Sequence, residues 1–217
     1  MQKKGKQKKL IIILATVIII IALFVFTPLG NIISGIFGEN PNIYVSIDNP
    51  NDDSRTFTSG DEFGGDENGK WATLQLSTTY SFGLRFNNIS IPKNAEIVKA
   101  YIELYSIGTP GHQSPNCKIY CDDTDNAVNF SEKGVLDLCG RKYTYSHTRW
   151  NTTVPYGEWV KTPSLVDQLQ EVILNKNWKK DNSVAFLFVT ECLKGYSATF
   201  QNYEAGYPAR LYVEWEE

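Results

Sequence analysis

An all-β fold is what the 217-residue sequence predicts: a two-sheet antiparallel β-sandwich of jelly-roll type with one short amphipathic helix, preceded by one transmembrane helix. Three observations carry that expectation. Residues 10–26, LIIILATVIIIIALFVF, hold no charge, and crossing a hydrocarbon core takes about 20 predominantly apolar residues. Residues 43–215 offer about ten short segments of alternating or continuous apolar character, punctuated by Gly, Pro, Asn and Asp, the pattern of strands and turns. One segment of helical period, residues 162–175, interrupts them, and many strands with a single helix favour packed sheets.

The basic tail, residues 1–9, carries five lysines, which favour the cytoplasmic side of a membrane. Residues 10–37 therefore read as an anchor with its juxtamembrane segment, residues 38–42 as a linker, and residues 43–217 as one extracellular domain. A secretory signal core runs about 7 to 15 residues before a small-residue cleavage site. This segment is longer and lacks such a site, and Lys6, Lys8 and Lys9 in front of it argue against a pilin-type leader. The expected location is the plasma membrane, single-pass, with the amino terminus inside.

About 180 residues outside the anchor suffice for one domain with its own core. Five of the 21 basic residues lie in the tail, which leaves 16 against 24 acidic ones and a charge of about −8. That balance disfavours nucleic acid and anionic lipid as partners.

Along the domain, residues 43–47 read as a first strand, residues 49–69 as Asp- and Gly-rich loops around a short strand at 55–58, and residues 71–76 as the next strand. The clearest alternation follows. Phe82, Leu84 and Phe86, then Val98, Ala100, Ile102 and Leu104, form the expected inner rows, and these two long strands are expected to nucleate the sheet. Further strands are expected at 117–122, 127–130, 142–150 and 154–161. The helix is expected to be capped by Thr162 with Pro163 in its first turn, to line its apolar face with Leu165, Val166, Leu169, Val172 and Ile173, and to turn Asp167, Gln168, Gln170 and Glu171 to water. Residues 183–190, apolar on both faces, suit a central strand. Residues 195–203 and 209–215 complete the set, with Arg210, Tyr212 and Glu214 facing out.

Sugar recognition uses flat aromatic rings flanked by groups that bond hydroxyls. Tyr101, Glu103 and Tyr105 on one outward face, with Tyr143 and Tyr145, are the candidate ligand residues, and Tyr156, Tyr196, Tyr203 and Tyr207 in strands or loops offer further rings; Trp150, Trp159 and Trp178 read as core and corner residues. Asp52 and Asp53, near Asp61, Glu62 and Asp66, and separately Asp122, Asp123 and Asp125, are candidate ligands for a structural calcium ion, against the alternative of solvated turns. Cys117, Cys121, Cys139 and Cys192 allow three disulfide connectivities on the oxidising side of a membrane. Cys117 and Cys121, four residues apart in one strand, are expected to reach Cys139 or Cys192 and not each other. Asn88, Asn129 and Asn151 begin N-x-S/T triplets and are candidate glycosylation sites. No nucleophile elbow, zinc-protease motif or phosphate loop occurs, so the chain reads as no enzyme and as needing no cofactor beyond that calcium.

The run at residues 83–106, GLRFNNISIPKNAEIVKAYIELYS, the run at 118–130, the tryptophan–helix–tryptophan pattern at 159–182 and the closing PARLYVEW resemble the DNRLRE-type domain, related to a carbohydrate-binding module family. Arg85, Phe86, Asn88, Ile91, Pro92, Ala95, Ile97, Ala100 and Tyr101 fill that family's most recognisable phrase. The resemblance spans nearly all of residues 43–215. It implies a jelly roll on a prokaryotic surface protein, with glycan binding or adhesion as the role, and carries over no ligand residue. The four cysteines and residues 132–146 depart from the pattern. The expected function is thus a membrane-anchored, non-catalytic binding protein for glycan or another cell-surface polymer. The alternative is a structural subunit that self-assembles into a filament or envelope layer through strand edges.

Overall fold

The alternating segments do fold as strands. The computed structural model describes residues 40–57, 73–108, 113–130, 140–191 and 198–216. The chain divides into two units, Met1–Asn40 and Pro41–Glu217, and all the described strands belong to the second. The expected anchor, residues 10–37, lies outside the described residues, and among these no helix is long and apolar enough to cross a membrane.

In chain order the strands are β1 (Asn42–Ser46), β2 (Asp53–Phe57), β3 (Thr73–Leu76), β4 (Tyr80–Ile89), β5 (Glu96–Tyr105), β6 (Cys117–Cys121), β7 (Thr148–Trp150) and β8 (Trp159–Lys161). After the helix α1 (Val166–Ile173) come β9 (Asn182–Thr190), β10 (Ala198–Gln201) and β11 (Arg210–Glu216). All pairings are antiparallel. One sheet runs β1-β11-β5-β8, another β2-β4-β9-β6-β7, and β10 pairs with β3.

A single apolar cluster takes Phe82, Leu84 and Phe86 from the five-stranded sheet and Ala100, Ile102, Leu104, Leu211 and Val213 from the four-stranded one. The two sheets therefore share one core, because alternate side chains of each strand face it. Phe82 stacks on Phe188 at 4.4 Å, and Trp150 on Phe200 at 5.6 Å. The cluster also holds Leu165, Leu169, Val172 and Ile173, with Val166 only half-buried against it, so α1 adds its apolar stripe to the same core. β9 lies centrally between β4 and β6, and residues 183–188 are all buried.

Several expectations are corrected. β4 and β5, expected to nucleate one sheet, belong to different sheets and face one core from opposite sides, an arrangement that period-2 alternation alone does not reveal. Val98 is exposed and Ile97 buried, because pairing steps from Glu214↔Lys99 to Trp215↔Ile97 and leaves Val98 as the extra residue of a bulge. Residues 127–130 form no strand, and in the stretches 142–150 and 154–161 only β7 and β8 are strands. Thr162 does not cap α1; its hydroxyl accepts from the Ile102 amide, completing β5 beside the end of β8. Gln168, expected in water, is fully buried and donates to the Ile119 carbonyl. Gln170 acts as a piece of strand edge, accepting from the Ile97 amide and donating to the Ala95 carbonyl.

Candidate binding face

The two sheets differ in what covers their outer faces. Over the five-stranded sheet, Ala127 and Phe130 pack on Ala185 and Leu187 of β9, with Tyr120 and Tyr143 alongside, making a second small core. Charged groups hold that cover down. Arg141 pairs with Asp122 at 2.7 Å, donates to the carbonyls of Val128 and Asn129, and lays its guanidinium 4.3 Å from the Phe130 ring centre. Arg85 donates to the Ala127 carbonyl at 2.6 Å, to Asp52 at 2.6 Å and to the Ser183 hydroxyl at 3.0 Å, while Asn87 donates to the second Asp52 oxygen. Neutralisation and full hydrogen bonding are what let a carboxylate such as Asp52 stay buried.

The outer face of the four-stranded sheet is different. Strand parity and register set its side chains in rows. One row is Tyr44–Tyr212–Tyr101 across β1, β11 and β5; the next is Ser46–Arg210–Glu103–Lys161 across β1, β11, β5 and β8; beyond it Tyr105 stands opposite Trp159. Tyr207 folds over from the loop before β11 and stacks on Tyr105 at 4.2 Å. Six aromatic side chains thus share one half-wet surface around a charged row. Cross-strand aromatic and opposite-charge pairs also stabilise a sheet, so part of this pattern is structural.

The charged row braces both aromatic groups. The Tyr44 hydroxyl donates to Glu103, Lys161 pairs with Glu103 at 3.5 Å and donates to the Tyr101 hydroxyl at 3.1 Å, and the Arg210 guanidinium lies 3.8 Å over Trp159. Tyr101 and Tyr212 stack on each other at 5.0 Å. Burial, and then the bond to Glu103, push the Tyr44 hydroxyl pKa up. The bond to Tyr101 raises that of the Lys161 ammonium.

Of the residues singled out for sugar binding, Tyr101, Glu103 and Tyr105 lie together on this face. Tyr143 does not: it stacks on Tyr120 at 4.9 Å over the five-stranded sheet. Tyr145, 94 % exposed, stands in the neighbouring loop, its amide and that of Ser146 held by the two Glu171 oxygens. Tyr207, one of the tyrosines weighed for sugar contact, joins the face by stacking on Tyr105, and Tyr44, Trp159, Tyr212 and Arg210 join it without having been expected as ligand residues. Trp150 and Trp178 are buried as expected, whereas Trp159 faces outward, because residues 159–161 pair with β5 in the parity that buries Val160.

Four of the five described acids considered for calcium have other partners for their carboxylates. Asp52 and Asp122 are paired with arginines, and Asp123 with Lys142. Asp53 is buried, accepts from the Tyr203 amide at 2.9 Å, and is pushed up to about 7 by burial, with Glu204 and Asp52 adding to the rise. Asp125 gives its carbonyl to Asn182. Asp61, Glu62 and Asp66 lie outside the described residues, and among these no group of three or more His, Cys, Asp or Glu side chains is placed to hold a metal ion.

Cys117 and Cys121 are both buried on the inner face of β6 and do not bridge each other. Burial raises the Cys121 thiol pKa well above its ordinary value. Cys139 and Cys192 lie outside the described residues. Asn88 is exposed at a left-handed position in β4 (φ 54°), Asn151 is exposed with Thr152 and Thr153, and Asn129 is half-buried beside Arg141.

In comparisons with known proteins, no protein-family model matches the chain and no curated protein matches it.

Proposed function

We propose that this chain is a membrane-anchored cell-surface protein whose β-domain is a jelly roll that binds glycan or another surface polymer through the outer face of the sheet β1-β11-β5-β8, with no catalytic step. Strand order supports the jelly roll. Numbered along the chain without β2, β3 and β10, the remaining eight strands lie 1-8-3-6 in one sheet and 2-7-4-5 in the other, the interleaving expected of two Greek keys. The resemblance of residues 43–215 to the DNRLRE-type domain points the same way.

The observation that carries the binding reading is the concentration of Tyr44, Tyr101, Tyr105, Trp159, Tyr207 and Tyr212 around Arg210, Glu103 and Lys161 on one sheet face, while the other sheet wears a packed cover. Aromatic rings offer contact area at low entropic cost, and Tyr, Trp and Arg are the residues that dominate recognition surfaces. Anchor and orientation follow from the apolar run and the five lysines before it.

A glycan-array screen of the purified chain, read beside its oligomeric state on sizing, tests the function. Binding to one polysaccharide class by a monomer is the expected result. Binding to none, with concentration-dependent polymers, would favour the self-assembling subunit instead.

A further inference from the structure

We propose that this face takes the interior of a linear, uncharged polysaccharide and not a single terminal sugar, an inference that rests on the glycan-binding reading above. Open aromatic surface lies at two opposite corners. Tyr44, 51 % exposed, stands on the edge strand β1, and Tyr207, 37 % exposed, stands on Tyr105 at the far end of β5. Tyr101 is two strands across from Tyr44, and Tyr105 lies four residues further along. A strand spacing of about 4.8 Å and a rise of about 3.3 Å per residue then separate the corners by roughly 16 Å. One pyranose covers about one aromatic ring, so contact with both corners takes several linked units.

Elsewhere on the face the rings are already covered. Tyr101 and Tyr212 stack on each other, Lys161 sits 4.3 Å over Tyr101, Lys99 sits 5.4 Å over Tyr212, and Arg210 covers Trp159. The middle of the face therefore offers hydrogen bonds more than stacking. Arg210 and Lys161 donate and Glu103 accepts, within one cross-strand row. Sugar hydroxyls donate and accept at once, and so match a row of both signs. A polyanion would meet Glu103 and Glu214, and a polycation would meet Lys99, Lys161 and Arg210; with both signs mixed across the face, a neutral chain is the one that meets no like charge.

The test runs the full chain, in detergent micelles, through native gels containing xylan, galactomannan, mixed-linkage β-glucan or polygalacturonate. The retarding polymer is then cut into fragments from monosaccharide to hexasaccharide for calorimetry. Retardation by a neutral polymer is expected, with affinity rising at least about tenfold from monosaccharide to tetrasaccharide. Tyr44→Ala and Tyr207→Ala should each weaken hexasaccharide binding about threefold or more, and Val128→Ala, on the covered side, should leave it unchanged. A monosaccharide bound as tightly as the hexasaccharide, or a preference for polygalacturonate, would overturn this inference and leave glycan binding standing. Retardation by none of the four would overturn the glycan reading itself.

Discussion

Asp53 sits where its neutral form is the comfortable one. Its carboxyl is buried beside Asp52 and Glu204, with the Tyr203 amide as its hydrogen-bond donor. Between about pH 4 and pH 7 the folded protein keeps a proton on Asp53 that the unfolded chain has released, so stability falls as pH rises through that window. A rise from 3.8 to about 7 corresponds to at most about 4 kcal/mol. Denaturant melts should show a domain more stable at pH 5 than at pH 8, and Asp53→Asn should flatten most of that slope; an unchanged slope in the variant would refute the assignment. Arg85 is the opposite case, a cation whose loss strands a buried anion. Arg85→Met should cost about 3 kcal/mol by leaving Asp52 uncompensated, measured as a shift in the urea midpoint at constant slope.

Individual elements follow from the sequence to very different degrees. The inner rows of β4, β5 and β11 are legible because alternation is a local property: Phe82, Leu84, Phe86, Ala100, Ile102, Leu104, Leu211 and Val213 all reach the core. Val98 escapes that pattern because a bulge is fixed by the partner strand, here at Trp215↔Ile97, and leaves no mark in β5 itself. Gln168 escapes it because the Ile119 carbonyl that satisfies it lies 49 residues away. At the proposed binding face, parity alone places Tyr101, Glu103 and Tyr105 outward. Bringing in Tyr44, Trp159 and Tyr207 takes the cross-strand register and a loop stack, neither of which is local. These differences have measurable consequences. Phe82→Ala should cost about 3 to 5 kcal/mol, since it empties a site packed by Phe188 and Phe200. Val98→Thr should stay within about 0.5 kcal/mol, as a surface change. Equal costs for the two would contradict the placement of the bulge.

At the scale of the molecule, the two sheets are unlike in what the described residues leave open. One outer face is sealed by Ala127, Phe130 and the Arg141–Asp122 pair; the other is left as rows of tyrosine and charge. The expected arrangement on a cell, a lysine-led anchor inside and the β-domain outside, predicts that protease added to intact cells removes the domain and spares residues 1–9. Protection of the domain until the cells are broken open would contradict it. The central claim, that recognition belongs to the face of β1, β11, β5 and β8, is tested most directly by backbone NMR shifts recorded while the polysaccharide found in the array screen is added. The largest changes are expected on Tyr44, Tyr101, Glu103, Tyr207, Arg210 and Tyr212. Changes confined to Tyr120, Tyr143 and His147, whose ring lies 5.1 Å from that of Tyr120 over the other sheet, would contradict it.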